Sequence, residues 1–137
     1  MDDIADFIRA NDRFAAHNGM ELVEMSPGRA VARMTLQPHH MNGVNTAHGG
    51  AIFALGDLAF AAASNSHGTV AMGINVSIQY VKAARGGTLT ATAHETSFGP
   101  RLATYTVDIT DDAGDLVAVF QGMVYRKRDA LLAQRGQ

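Results

Sequence analysis

The sequence predicts an α+β domain in which a curved, mainly antiparallel sheet wraps around one long apolar helix. Three observations predict it. Residues 49–66 are a run rich in Ala and Leu, both strong helix formers. After that run, residues 69–82 and 116–125 are β-like, and period-two alternation fills residues 87–98 and 102–110, the signature of strands with one buried face. The links between those strands are short, which suits antiparallel neighbours.

The elements follow in order. Residues 2–17 place Ile4, Phe7, Ile8 and Phe14 at helical spacing, with acidic residues in the first turn where the helix dipole favours them. Asn18-Gly19 ends that helix. Two short strands are expected at 20–25 and 29–36, joined by the turn Ser26-Pro27-Gly28. Residues 37–47 hold Pro38, His39, His40, Asn42, Gly43 and Asn45, too many turn formers for regular structure. The central helix, 49–66, is apolar on every side, which predicts burial on every side, and Gly68 is its stop. In the strand region, Gly99-Pro100 and Asp111-Asp112-Ala113-Gly114 are the turns. The tail, about 127–137, is expected to be a fraying helix or disordered. The 137 residues, with 47% hydrophobic and 18% charged content, fit one domain spanning 1–137.

Composition excludes several functions. A formal net charge of -2 gives no general attraction to nucleic acid or to an anionic membrane. The absence of cysteine removes disulfides, thiolate metal sites and a cysteine nucleophile. His39, His40 and His48 have no acidic residue near them in sequence, so no metal site is expected. Ser64 and Ser66 lack the turn that presents a nucleophilic serine. The start of the chain has neither the basic segment nor the apolar core of a secretory signal, and the longest apolar run is short of the ~20 residues that span a bilayer. A cytoplasmic protein is expected.

One residue stands out. Asp57 lies in the middle of the apolar run, and a lone buried carboxylate costs several kcal/mol unless it is paired or used. His48-Gly49-Gly50 sits where the same helix begins, and Asn42 lies six residues before His48. The free N–H groups of a helix's first turn stabilise an anion. A carbonyl set against the Gly49 N–H would be polarised, and one such donor contributes about 2.7–4 kcal/mol to a transition state. Asp57 in apolar surroundings is expected to hold its proton more tightly than a solvated carboxylate and to act as base or nucleophile. Eight helical steps from Gly49 to Asp57 span ~12 Å, too far for one site within one chain. Two such helices packed antiparallel across a two-fold axis bring Gly49 of one subunit to Asp57 of the other, so a homodimer with sites at its interface is expected. A sheet of this size also has free edges that invite pairing.

The pattern HGG-x6-D on the central helix and the order of elements resemble the hotdog-fold acyl-CoA thioesterases. The longer stretch NGVNTAHGGAIFALGDLAFAAASNSHG resembles the phenylacetic-acid-degradation (PaaI-type) group through Asn42-Gly43, Ala59-Phe60-Ala61 and the ending Asn65-Ser66-x-Gly68. The likeness covers residues 19–126. It implies Asp57 as catalytic carboxylate, Gly49 as oxyanion donor, His48 as an orienter of the thioester and Asn42 as a lining residue. Some relatives carry a serine or threonine on the following strand to position water. Here that place is Gly73, with Asn75 and Ser77 as the nearest polar substitutes. The implied reaction is hydrolysis of an acyl-CoA, the acyl group being aryl or arylacetyl. Coenzyme A is part of the substrate, there is no further cofactor, and the assembly is a dimer of dimers. Phe53, Leu58 and Ala61 are expected at the acyl group, Gly50 is expected to contact substrate, and Lys82, Arg85, Arg101 and the Arg126-Lys127-Arg128 cluster are expected at the CoA phosphates. A non-catalytic acyl-CoA binding module and an acyl-CoA hydratase are the alternatives. The close Asp–His motif of hydratase relatives is not seen.

Overall fold

In the computed structural model, which describes residues 2–134, the chain forms α1 (Asp2–Asn11), α2 (Arg13–His17), β1 (Met20–Ser26), β2 (Arg29–Thr35), α3 (Gly49–Asn65), β3 (Thr69–Tyr80), β4 (Thr88–Phe98), β5 (Leu102–Thr110) and β6 (Leu116–Ala130). The six strands make one sheet in the order β1-β2-β4-β5-β6-β3, every pair antiparallel. The hotdog arrangement of a curved sheet around α3 is therefore present. No helix among the described residues is long and apolar enough to cross a membrane.

The alternation read from sequence sets the faces. On β5, Ala103, Tyr105, Val107 and Ile109 point inward and are fully or almost fully buried. Val117, Phe120 and Val124 of β6 join them. Helix and sheet interlock through paired glycines and aromatic rings. A Cβ on Gly122 of β6 would lie 2.6 Å from the Phe60 ring of α3, and one on Gly73 of β3 would lie 3.0 Å from the same ring. In the opposite sense, a Cβ on Gly56 of α3 would lie 2.9 Å from the Phe120 ring of β6. Phe60 and Phe120 also meet each other, centroids 5.4 Å apart.

Four differences from the sequence reading have physical causes. The N-terminal helix is broken at Asp12, whose carboxylate caps α2 by accepting the Ala15 N–H at 3.0 Å. α3 is not buried on every side: the sheet covers one side, while the strip containing Gly50, Ala54, Asp57 and Ala61 is exposed or half-buried. β6 continues through Arg126, Lys127 and Arg128 to Ala130 because it pairs with β3 as far as Thr69↔Ala130. Leu131–Gln134 then form a short 3-10 turn, and the rest of the expected tail, 135–137, lies outside the described residues. β3 is an edge strand of 12 residues, with Met72 and Ile74 each 56% exposed.

Because Phe60 is buried on all sides, its ring cannot yield to a new methyl group. Gly122→Ala is expected to lower stability by about 1–3 kcal/mol, measured by urea denaturation. Gly86→Ala, where a Cβ meets nothing within 4 Å, is expected to be neutral or slightly stabilising.

Candidate active site

The N-terminus of α3 leaves one donor free. His48 is the cap: its Nδ1 accepts the Gly50 N–H at 2.8 Å, and its carbonyl accepts from Ala51 at 2.9 Å and Ile52 at 3.1 Å. The Gly49 N–H has no protein acceptor among the described residues. It is the one first-turn donor left for a ligand, and the helix dipole adds partial positive charge there. The two glycines are needed for close approach. A Cβ at Gly49 would lie 3.2 Å from the Tyr80 phenol, whose hydroxyl donates to the Gly49 carbonyl at 2.9 Å. A Cβ at Gly50 would lie 3.0 Å from the His48 ring. Since Nδ1 accepts, the ring hydrogen of His48 sits on Nε2. The geometry thus gives His48 a capping role.

Asp57 faces a cleft of about 340 Å3 between α2 and the uncovered side of α3. Gly50, Phe53, Ala54 and Leu58 line it from α3; Asp12 and Phe14 line it from the N-terminal segment. Phe53 packs at 5.3 Å from Phe120, centroid to centroid, which fixes its ring at the cleft wall. Asp57 is exposed on its outer side. Its carboxyl is nevertheless raised above the ordinary carboxylate range, first by loss of hydration in the cleft and then by the charge of Asp12. Asp12 and Tyr80 were not anticipated as site residues. The Asn-Asp pair at 11–12 was a readable cap signal inside an otherwise helical pattern, whereas nothing in the sequence pairs Tyr80 with Gly49.

The structure does not bring all the expected residues together. Asn42 is committed to its own loop: Oδ1 accepts from Val44 and Thr46, each at 3.0 Å, and Nδ2 donates to the Thr46 hydroxyl at 2.9 Å. It is a turn-former there and does not line the cleft. Asn75 and Ser77 stand on the sheet face away from α3. They share a polar hollow with Thr104, Thr106 and Gln121, while their neighbours Val76 and Ile78 pack against the core. Gly73 instead backs onto Phe60. His40, 2% exposed, is a satisfied core histidine: Nδ1 accepts from Gln37 and Nε2 pairs with the Asn18 carbonyl. Among the described residues no group of three acidic or histidine side chains is placed to hold a metal ion.

The expected phosphate contacts fall at two ends of the molecule. Lys82 and Arg85 lie where α3 begins, beside Tyr80 and the Ala84 carbonyl that receives the Ala47 N–H. Lys82 is held by Asp111 at 2.7 Å and Asp115 at 2.8 Å, the two carboxylates raising its proton affinity. It braces the β5–β6 turn. Arg101 and Arg126 lie toward the other end of α3, where the Leu131 N–H meets the Gly68 carbonyl. With Lys127 and Arg128 they line a basic cleft of about 490 Å3. Arg126 stacks 4.0 Å over Phe98 and donates to the Gly99 carbonyl at 2.8 Å, and its Nε is buried without a partner.

Comparison with known proteins agrees with this geometry. Residues 44–118, which include the capped helix and Asp57, match the Thioesterase superfamily. An Archaeoglobus fulgidus protein is 43% identical over 124 residues, covering 90% of this chain and 80% of its own length. The Escherichia coli acyl-coenzyme A thioesterase PaaI is 36% identical over 117 residues, covering 85% of this chain and 84% of the relative. The solved structure of the E. coli PaaI protein from the phenylacetic acid degradation operon superposes with a TM-score of 0.86 at 31% identity, covering 93% of this chain and 98% of that one. The chain therefore belongs to the thioesterase superfamily and, within it, to the hotdog-fold acyl-CoA thioesterases of the PaaI type.

Proposed function

We propose that this protein hydrolyses aryl or arylacetyl-CoA thioesters, such as phenylacetyl-CoA and its hydroxylated derivatives, to the free acid and coenzyme A. The observation that carries the proposal is the pairing on one helix of an uncommitted Gly49 N–H with a carboxyl group, Asp57, that faces a cleft and whose proton affinity is raised by lost hydration. The thioester carbonyl sits against Gly49. Asp57 of the partner subunit removes a proton from water, or attacks the carbonyl carbon itself to give a mixed anhydride that water then opens. By either route a C–O bond forms, the C–S bond breaks, and the thiolate leaves and takes up a proton. The developing oxyanion is held by the amide donor and the helix dipole.

Gly50 and Ala54 leave room for a ring, and Phe53 offers an aromatic face to it. The scheme calls on no metal or organic cofactor, since coenzyme A enters with the substrate. Arg126, Arg101 and their neighbours on β6 supply cations for its phosphates. The proposed assembly is a dimer across α3 and the exposed β3 edge, doubled into a dimer of dimers.

Asp57→Asn keeps the shape and removes the charge. Its kcat for phenylacetyl-CoA is expected to fall about 10²–10⁴-fold in a thiol-release assay; wild-type turnover would overturn the assignment, and unimpaired ligand binding without turnover in the natural protein would favour a binding module. Asp12→Asn removes the charge that helps to raise Asp57, so Asp57 ionises at lower pH. The acid limb of the kcat/KM profile is expected to move to lower pH. Light scattering at working concentration is expected to give an even number of subunits, and an active monomer would contradict the shared site.

A further inference from the structure

Beside the Asp57 cleft lies a second hollow of about 340 Å3, between α1, α2 and β1. Asp12, Ala15, Met20 and Leu58 line both. The second hollow adds Ile8, Ala16 and Leu22 together with Arg9 and Glu21, so its wall is mainly apolar with charged side chains at Arg9, Asp12 and Glu21. Arg9 closes one side: its Nε and Nη2 both donate to the Leu22 carbonyl, at 3.0 and 2.9 Å, which pins α1 to β1 and lays the apolar stem of the side chain along the hollow.

We propose that this hollow is an extension of the acyl site that receives the distal part of an apolar acyl group and so sets the length the protein accepts. The proposal rests on the thioesterase reading and widens its acyl class from a single ring to alkyl chains and chain-bearing rings. Three features support it. Each hollow falls near the lower bound of ordinary ligand pockets, and the residues they share set them side by side. The dividing residues are apolar apart from Asp12, whose carboxylate is turned to the Ala15 N–H. Met20, with three rotatable side-chain bonds, is the member best suited to move aside. The roof is made of Ala15 and Ala16, the smallest side chains that keep a helix. Ala16 is exposed, so the volume beneath α2 is set by residues that a substitution can enlarge without rebuilding the core.

Calorimetric titration with S-ethyl-CoA and S-octyl-CoA tests this, because thioethers have no carbonyl to attack and binding is read without turnover. Each methylene moved out of water is worth about fourfold in affinity, so S-octyl-CoA is expected to bind roughly tenfold or more tighter than S-ethyl-CoA once two of its additional methylenes are buried. Ala16→Trp fills the hollow and is expected to erase most of that preference; Ala16→Leu gives a partial loss and serves if the larger side chain prevents folding. Equal binding of both ligands by the wild-type protein overturns the proposal even where thioesters are hydrolysed. A preference untouched by either folded variant overturns it too. A preference that the variants abolish, in a protein that hydrolyses no acyl-CoA, leaves the chamber standing and sinks the thioesterase reading instead.

Discussion

The interlock of α3 with the sheet is the constraint on which the rest depends. Phe60 of the helix enters the space left by Gly122 and Gly73 of the strands, while Phe120 of the sheet enters the space left by Gly56 of the helix. Each ring is seated where the opposing element has no side chain. The interlock permits almost no rotation of α3 about its own axis, because interiors at crystal-like density have no slack to take up a displaced ring. With rotation fixed, so is the direction in which every other residue of the helix faces. Asp57, one position past Gly56 and three before Phe60, is directed away from the sheet for that reason. A carboxylate thus stands in an apolar run without being entombed in the core.

The same orientation decides what the start of the helix can do. Tyr80, at the end of β3, packs against Gly49 and bonds to its carbonyl, and His48 folds back onto Gly50. Both contacts consume polar groups that would otherwise compete for a ligand, and neither touches the Gly49 N–H. The Asx-type loop around Asn42 and the buried His40, whose carbonyl receives the His48 N–H at 2.8 Å, hold the approach to the helix in place. The Gly49 N–H is therefore fixed before any ligand arrives, as the electrostatic stabilisation proposed above requires. Asn42 serves that end through the backbone.

Much of this was legible in the sequence, for reasons that differ by element. β5 and the first half of β4 could be read because one of their faces is buried and the period of two is strict there. The helix and the pattern around Asp57 could be read because a charge in an apolar run has few innocent explanations. The uncovered side of α3 was not legible: Gly50, Ala54 and Ala61 are as compatible with burial as with a cleft, and composition cannot say on which side the sheet stops. The face of Asn75 and Ser77 was not legible for a sharper reason. The register of β3 shifts between Gly73 and Asn75, and a shift of one residue exchanges the faces of a strand. Residues beyond such a bulge cannot be assigned to a face by counting. The pairing that extends β6 to Ala130 is likewise a property of β3, its neighbour, more than of the charged segment itself.

A rigid helix also settles where two protomers must meet if they share a site. Gly49 and Asp57 are ~12 Å apart along one axis, and no motion of side chains closes that gap. In the antiparallel pairing proposed above, Gly49 faces Asp57 of the partner subunit only if the two-fold axis passes the midpoint of the two positions. That midpoint is residue 53. Phe53 then packs beside its own symmetry mate while its other side rests on Phe120, so the ring that walls the acyl cleft is the same ring that sets the spacing of the two helices. In that pairing, acyl selection and subunit association would be coupled through one side chain. The exposed edge of β3 and the uncovered strip of α3 are the surfaces left free for such a contact, and a protomer alone holds an unmatched donor and an unmatched acid.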